Sequence, residues 1–599
     1  MGKGPTDIAR HAVAGRVQGW RWPVLLGVAV AGLVACGGGG GESVPSADGG
    51  STPVVTPPVT PPPSATSVFA TQEAAAVLDD PRTYAALTDT VLQGTVITRD
   101  TATATFADVN ADIDPNDALE PEIDAHLVLD GYPDDAKPLN ATIRLRGSSS
   151  RLGAQKSYRV KLLKTAPLWR GEQTLQFNKH PWDLTRVRNK LAMDLFRDIP
   201  HVPSLRTQFV RLNLTNQDKA GVAYASADFG LFTHVEKMGK EYLANRGLPT
   251  DGNLYKAEDF RFQPDARLAL TAAGAPVDKV AFERVLSLEA DSGDHTRLRA
   301  MLTALNDPAT DFAAIFDQYF DRSNYLTWLA TAVLMGNRDT LSQNFALYQP
   351  KGSDKFYFLP WDYDGAFGYE DQADVVADAS LYAPWQKTLA NWWEVPLHRR
   401  FLSDPKRLAE LKQAVEELYT RHLGEAALQA RLAVYQPLVA PYVTAAPDLT
   451  WLPGVTADRA AEWRAEITRI AASPLLNRER FLAGMDAPMP FFQAVTLAGT
   501  SHRLEWDASA DLQGDAVTYR VELATAPDFA SNSVLVSQSG VSATEWLVPK
   551  LADGTYYLRV TAVDAKGNTQ QAFDRVSVGG KTWFGVLGVR VAGAAVAVF

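Results

Sequence analysis

Apolar positions recur with a period of two in short runs between residues 126 and 162. Ile143-Arg144-Leu145-Arg146 alternates, Gly147 to Ser150 breaks the pattern, and Ser157 to Leu162 alternates again, which predicts a hairpin over 141–163. His126 to Leu129 alternates weakly before the turn pair Asp130-Gly131, and Phe209 to Leu214 and Gly230 to Val235 read as strands, the second closing on Glu236. Leu184 to Asp198 switches to a helical period, with Leu191, Ala192, Leu195 and Phe196 on one side, and Ile199-Pro200 stops it. Short helices are expected over Gln72 to Leu87 and Glu241 to Arg246, and 265–310 reads as a polar helical insertion. Phe312 to Met335 is helical with Tyr, Leu and Trp all round the axis, the mark of a buried helix. Two short strand-like runs follow, Phe345 to Tyr348 and Lys355 to Pro360. Residues 383–483 are largely helical, as in Pro405 to Leu423 and Ala457 to Ala472.

The pattern changes once more at Pro490. Leu504 to Trp506, Val517 to Leu523, Thr544 to Val548 and Tyr556 to Val563 are short, evenly spaced strands, and Tyr556, Leu558, Val560 and Ala562 share a face. Trp506 and Tyr556 stand where a β-sandwich places its core aromatics, so 490–580 resembles a fibronectin type III or immunoglobulin-like module. The last stretch, Trp583 to Phe599, is apolar apart from Arg590 and is expected as an edge strand or a loose tail.

Composition narrows the class. With 599 residues, 46% hydrophobic and 21% charged, the chain is globular and long enough for several domains. A net charge of −11 disfavours a nucleic-acid partner, since polyanion binding leans on Lys and Arg. The single cysteine is Cys36. It follows a basic start (Lys3, Arg10, Arg16, Arg21), an apolar run from Pro23 too short to span a bilayer comfortably, and Leu33-Val34-Ala35. This resembles a bacterial lipoprotein signal with Cys36 as the lipidated residue; the alternatives are an ordinary signal peptide and an N-terminal membrane helix. The expected address is the bacterial cell envelope, outside the cytoplasm, with the membrane held through the N-terminal lipid. Residues 37–65 are Gly-rich and then Pro-rich, a tether that cannot build a core.

Candidate chemistry gathers between Asn337 and Gly368. Asp339 and Asn344 stand five apart, the spacing that protein kinases use in the catalytic loop, and Asp362 and Asp364 follow the second strand-like run. Carboxylates and an amide are the right ligands for a hard cation on phosphates. The turn after Arg146, with Ser148, Ser149 and the nearby Arg151 and Lys156, could cover phosphates with N–H groups, hydroxyls and positive charge; the alternative is a basic surface hairpin. Asp108, Asn110, Asp112 and Asp114 alternate like half a calcium loop, but Ile113 replaces the needed Gly and Leu119 the bidentate Glu, which leaves a solvated acidic loop.

Six stretches in order resemble the spore-coat protein H (CotH) family of atypical kinase-like proteins. They are Ile143 to Arg151, Lys156 to Lys161, Asp183 to Ala192, Phe229 to Glu236, Asn337-Arg338-Asp339 with Asn344, and Phe358 to Asp364. The resemblance covers roughly 120–400 and a helical tail. It implies an α+β, bilobal kinase-like core over 66–485, with a β-rich N-lobe and a helical C-lobe, followed by the β-sandwich at 490–580 and an apolar tail at 581–599. It implies transfer of the ATP γ-phosphoryl group to Ser or Thr of a secreted or surface protein, with Mg²⁺ or Mn²⁺. By matching position, Asp339 is the implied base, Asn344 and Asp362 hold metal with Asp364 nearby, and Lys156 contacts phosphate with Lys161 as the alternative. Glu236 falls at an implied interlobe hinge beside the nucleotide. Leu231 departs from the family's aromatic after the Gly, with Phe232 next.

Two rival readings remain. One is a non-catalytic surface or assembly lipoprotein with a kinase-like binding lobe. The other is an aspartyl-nucleophile phosphatase, suggested by Asp362-Tyr363-Asp364-Gly365; that fold needs βα units downstream, whereas the chain after Gly368 is mostly helical. No Gly-x-Ser-x-Gly or His-Glu-x-x-His motif is present.

Overall fold

Alternation in the first part of the chain closes into a barrel. The computed structural model describes residues 67–69, 79–114, 120–133, 139–378 and 381–599. Cys36 and the 37–65 tether lie outside the described residues, as do residues 72–78 of the helix expected over Gln72 to Leu87; its described part, 79–87, holds one 3₁₀ turn at Pro81–Tyr84. Strands β1 (Val91–Arg99), β2 (Ile123–Leu129), β3 (Ala141–Leu145), β4 (Tyr158–Leu162), β5 (Thr174–Asn178), β6 (Thr207–Gln217) and β7 (Ala227–Glu236) run in the order β1-β2-β3-β4-β5-β7-β6. The parallel pairing of β6 with β1 closes the ring. Every second side chain points inward, so Leu127, Ile143, Val160, Leu175, Phe177 and Val210 fill one core. The predicted 141–163 hairpin is the antiparallel β3–β4 pair.

The acidic stretch at 108–114 is solvated only in part: Asp108 and Asp114 are exposed, whereas the Asp112 side chain is buried. Asp108 sits in a short helix, Phe106–Ala111, where it forms a capping box with Thr105. Asp112 pairs with the buried Arg151. Arg151 also donates to the Gly147 carbonyl at 2.8 Å, so it pins the β3–β4 turn from inside and does not face solvent. Gly147 has φ of +90°, and a Cβ there would meet Ser150 Oγ at 2.0 Å, so only glycine opens this turn.

Beyond the barrel lies a four-stranded sheet in the order β11-β10-β8-β9, formed by β8 (Asn253–Ala257), β9 (Leu286–Ala290), β10 (Phe345–Gln349) and β11 (Tyr357–Pro360). The expected polar insertion at 265–310 is therefore corrected. It contributes β9, and it buries Leu286, Leu298, Met301 and Leu305. Its helix Thr296–Asn306 carries Leu298, Met301 and Leu305 at helical spacing, hidden among polar residues. The expected helix at Phe312–Met335 is two helices, Phe312–Tyr319 and Arg322–Met335, because Asp321 caps the second one. From Ser323 to Met335 that second helix is buried on every side. Asn324 zips it to β11, donating to Phe358 O at 2.9 Å and accepting from Phe358 N at 2.6 Å. The rest of this part is helical through Ser473–Met485. The helix expected from Leu184 begins later, at Arg188–Phe196, since 184–187 are occupied by side-chain hydrogen bonds from Asp183 and Thr185. A mixed α+β fold is what the resemblance implies. No helix among the described residues is long and apolar enough to cross a membrane.

After Met485 come β12 (Gln493–Ala498), β13 (Ser501–Trp506), β14 (Thr518–Ala524), β15 (Val534–Val541), β16 (Glu545–Pro549), β17 (Gly554–Val563), β18 (Thr569–Gln571), β19 (Arg575–Val578), β20 (Lys581–Phe584), β21 (Val586–Ala592) and β22 (Ala595–Val598). One sheet has the order β12-β13-β16 and another β15-β14-β17-β21-β22. Leu504 and Trp506 from the first share an apolar cluster with Val521, Tyr556, Leu558, Val560, Ala562 and Val589 from the second. The stretch 581–599, expected as an edge strand or a loose tail, supplies three strands; β21 pairs with β17 and β22, and β22 forms the edge of the larger sheet.

These sheets are fastened to the helices before them, and residues 71–599 form one unit. Trp385 packs edge-on against Phe573 and Phe584, each at 5.9 Å. Gln513 donates to Met485 O at 2.8 Å and Asn568 to Asp486 O at 2.9 Å. Ending the chain after Pro488 is therefore expected to lower the thermal midpoint of the remaining core, two aromatic pairs alone being worth about 1–3 kcal/mol. Trp385 fluorescence should shift to the red. An unchanged midpoint and spectrum would show that the segment is dispensable for the core.

Candidate active site

One buried helix and one sheet aim two acidic loops at each other. The helix Arg322–Met335 ends at Gly336, whose φ is +70° and whose Cβ, if present, would lie 2.4 Å from Asn477 Nδ2. The next turn, Arg338–Leu341, carries Asp339. Thr340 Oγ1 donates to Asn337 O at 2.7 Å, Arg338 donates to Glu370 and Asn477 at 3.0 and 2.8 Å, and Asn391 holds the Arg338 carbonyl at 3.0 Å. Asn337 Nδ2 then donates across to the Asp362 carbonyl at 3.1 Å, which ties the two loops together. A Cβ at Gly365 would lie 4.0 Å from Asp339 Oδ2, so the Asp339 carboxylate looks directly at the 362–365 turn.

The β10–β11 pairing sets the remaining acids. Phe345 faces Pro360, and Trp361 N donates to Asn344 O at 3.3 Å, which puts Asn344 beside Asp362. Asn344 and Asp362 both adopt left-handed backbone, φ +60° and +48°. Asn and Asp tolerate that region better than other side-chain-bearing residues, and such positions concentrate where geometry matters to function.

The carboxylates are close enough to repel one another. Burial, with the Asp364 and Asp362 charges, pushes Asp339 up to about 6. Burial and Asp364 also raise Asp362, while the Arg146 and Lys256 charges pull it back. Arg146, leaving β3, is lowered by burial and supported by Asp362, Asp364 and Glu258; its guanidinium donates to Asn178 Oδ1. The site thus brings Asp339, Asn344, Asp362, Asp364 and Arg146 together.

The other candidates stand apart from this centre in different ways. Ser148 and Ser149 lie exposed in the turn beyond Arg146. Lys156 closes the same turn, donating to Arg151 O at 2.5 Å. Lys161 sits on the outer face of the barrel, opposite Thr142, because its neighbours Val160 and Leu162 take the inward positions. Glu236 is fully buried and fully used, in ion pairs with Arg206 at 2.8 Å and Arg246 at 2.9 Å. Burial alone would raise it; Arg246 and Arg206 outweigh that and hold it well below the usual carboxylate range. It braces the end of β7 and offers no free oxygen to a nucleotide.

Three more residues join the site, none of them singled out in the sequence, although Asn189 lies within the Asp183 to Ala192 stretch that carries the resemblance. His180, just after β5, places Nδ1 3.0 Å from Asp364 Oδ2. Asn189, on the helix Arg188–Phe196, accepts from Tyr363 N at 3.0 Å. Lys256, on β8, lies 5.3 Å from the Trp361 ring and pairs with Glu258 at 2.6 Å. It supplies a cation that the loop Thr340-Leu341-Ser342-Gln343 lacks. Only register could reveal it, since Lys256 pairs with Ala346 of β10.

The donor set fits a divalent cation. Asp362 Oδ1 is buried with no hydrogen-bond partner, and ligand atoms of His180, Asp362 and Asp364 lie within 4.8 Å of one another. Burying an unpaired carboxylate oxygen among other carboxylates is costly unless positive charge completes the cluster.

Residues 143–472 match the family model described as CotH kinase protein. The chain is 27% identical over 308 residues to the inner spore coat protein H of Bacillus subtilis (strain 168), covering 51% of this chain and 78% of that protein. It is also similar to a chain of a solved complex from Shewanella oneidensis MR-1, the toxin–antitoxin system HipA, HipB and its operator DNA. That match has 11% identity and a TM-score of 0.19, and spans 61% of this chain and 65% of the other, just under two thirds of its length. A likeness that slight does not bear on the fold.

Proposed function

We propose, from the premise that this chain belongs to the CotH kinase protein family, that it is a lipid-anchored, extracytoplasmic protein kinase. It transfers the γ-phosphoryl group of ATP to Ser or Thr of a secreted or surface protein. The observation that carries this reading is the facing pair of loops, with Asp339 on one and Asp362 and Asp364 on the other. The acceptor hydroxyl oxygen bonds to the γ-phosphorus, the bond from that phosphorus to the β–γ bridging oxygen breaks, and ADP leaves. Asp339 takes the hydroxyl proton; a carboxylate raised to about 6 is a better base than an ordinary one and is still ionised at neutral pH. Asn344, Asp362 and Asp364 would hold Mg²⁺ or Mn²⁺, which when bound neutralises phosphate charge. Arg146 and Lys256 flank the same carboxylates and add positive charge toward the phosphates. Cys36 anchors the chain in the envelope, and the paired sheets after Met485 act as a β-sandwich of fibronectin type III type.

Residues 66–599 incubated with ATP and Mg²⁺ or Mn²⁺ are expected to release ADP only when metal is present and to gain phosphate detectable by mass spectrometry. Metal with ATP should also raise the thermal midpoint. A protein showing neither metal-dependent nucleotide affinity nor turnover would instead be a binding lobe, the reading of a non-catalytic surface lipoprotein.

A further inference from the structure

We infer that His180 is a positioning residue for the metal loop: through Nδ1–H it fixes one oxygen of Asp364, so that the cation is left with oxygen ligands alone. This rests on the metal-binding reading above and names a role within that site. His180 is 4% exposed and has a φ of +48°. Its backbone is clamped by Arg186, whose Nη1 donates to His180 O at 2.6 Å and to Lys179 O at 2.8 Å. The ring is therefore placed by a guanidinium and a strained backbone, and it has not drifted into contact.

The tautomer follows from a chain of donors. Tyr363 N can only donate, so the atom of Asn189 that faces it at 3.0 Å is Oδ1. The opposite end of the amide, Nδ2, lies 3.5 Å from His180 Nε2. Nδ2 can only donate, which makes Nε2 the acceptor and leaves the ring proton on Nδ1. Nδ1 is 3.0 Å from Asp364 Oδ2 and donates to it.

Proximity alone suggests a different role. The His180, Asp362 and Asp364 atoms lie close enough together for His180 to be a ligand. A ring nitrogen that carries a proton has no lone pair for a metal, and a hard cation prefers oxygen in any case. With Oδ2 held by the imidazole, Asp364 Oδ1 stays free to join Asp362. Asn189 serves both jobs, since the same amide grips the peptide between the two aspartates and sets the tautomer of His180.

The test is titration of the full chain with Mn²⁺ alone, followed by electron paramagnetic resonance. Wild type is expected to bind Mn²⁺ without a directly bonded ¹⁴N in the pulsed spectrum. His180→Phe keeps an aromatic ring and loses the donor, and it should weaken Mn²⁺ binding by about 10–100-fold. His180→Asn, which tolerates positive φ and keeps an N–H donor, should recover much of that loss. A bonded ¹⁴N in wild type would overturn the inference by making His180 a ligand. So would wild-type Mn²⁺ affinity in His180→Phe. A wild type that binds no Mn²⁺ at all would remove the metal-site reading itself, an outcome distinct from the other two.

Discussion

Asp339→Asn is expected to reduce phosphoryl transfer by on the order of 10²–10⁴ while leaving nucleotide affinity nearly unchanged. The substitution preserves shape in a loop already fixed by Asn337, Thr340 and Asn391, so geometry should survive. What it removes is the proton acceptor. It also removes one of three mutually repelling carboxylates, so metal binding should hold or improve slightly. Asp362→Asn acts at the other loop. It leaves a weaker ligand where a buried oxygen has no protein partner, and it should abolish metal-dependent ATP binding together with turnover. Calorimetric titration of ATP with Mg²⁺ against both variants separates the two jobs. Loss of nucleotide by Asp339→Asn, with retention by Asp362→Asn, would reverse the assignments. Full activity in both would remove these loops from the chemistry.

Arg188→Met should be the most damaging change outside the acidic loops, costing about 3–5 kcal/mol of stability. Arg188 is fully buried between Asp183 and Glu466, joined to both carboxylates, and donates to Gln372 at 3.0 Å. Methionine fills the volume but leaves Asp183 buried without its cation; Glu466 keeps Arg469 at 2.7 Å. The pH dependence gives a second check. Burial alone would raise Asp183, yet the Arg188 charge and hydrogen bonds from the Thr185 hydroxyl and the Arg188 backbone N–H hold it below its ordinary value. A carboxyl lowered on folding contributes stability above its unfolded pKa and loses it as pH falls through the folded one. The gap between wild type and variant, read as the urea midpoint, should therefore be wide at neutral pH and narrow on acidification. A gap under about 1 kcal/mol at neutral pH would show that this network is compensated elsewhere. Because Asn189 adjoins Arg188 and grips Tyr363, the variant should also loosen the metal loop before the barrel is affected.

Local pattern was enough for the elements whose neighbours are close in sequence. The alternation at 143–145 and 158–162 produced a real hairpin, and the all-round apolar helix before Gly336 is buried as its composition demands. Asp339, Asn344, Asp362 and Asp364 were legible because chemistry and spacing lie within one short stretch. The insertion at 265–310 was misread for the opposite reason. A five-residue strand among polar helices has no period long enough to stand out, and β9 exists only because β8 offers it an edge.

By itself, then, the sequence determined the α+β class, the family and the acids facing one another across the β10–β11 hairpin. The partners that come from distant parts of the chain were decided by tertiary structure alone. His180 reaches Asp364 across 184 residues, and Arg188 reaches Glu466 across 278. Lys161 was turned outward by strand parity, and Glu236 was consumed by two arginines that sequence spacing could not rank. The physical reason is the same in each case. A charged side chain declares its chemistry in the sequence, but whether that charge is spent on a buried partner or left for a ligand depends on which groups the fold brings within a few ångströms.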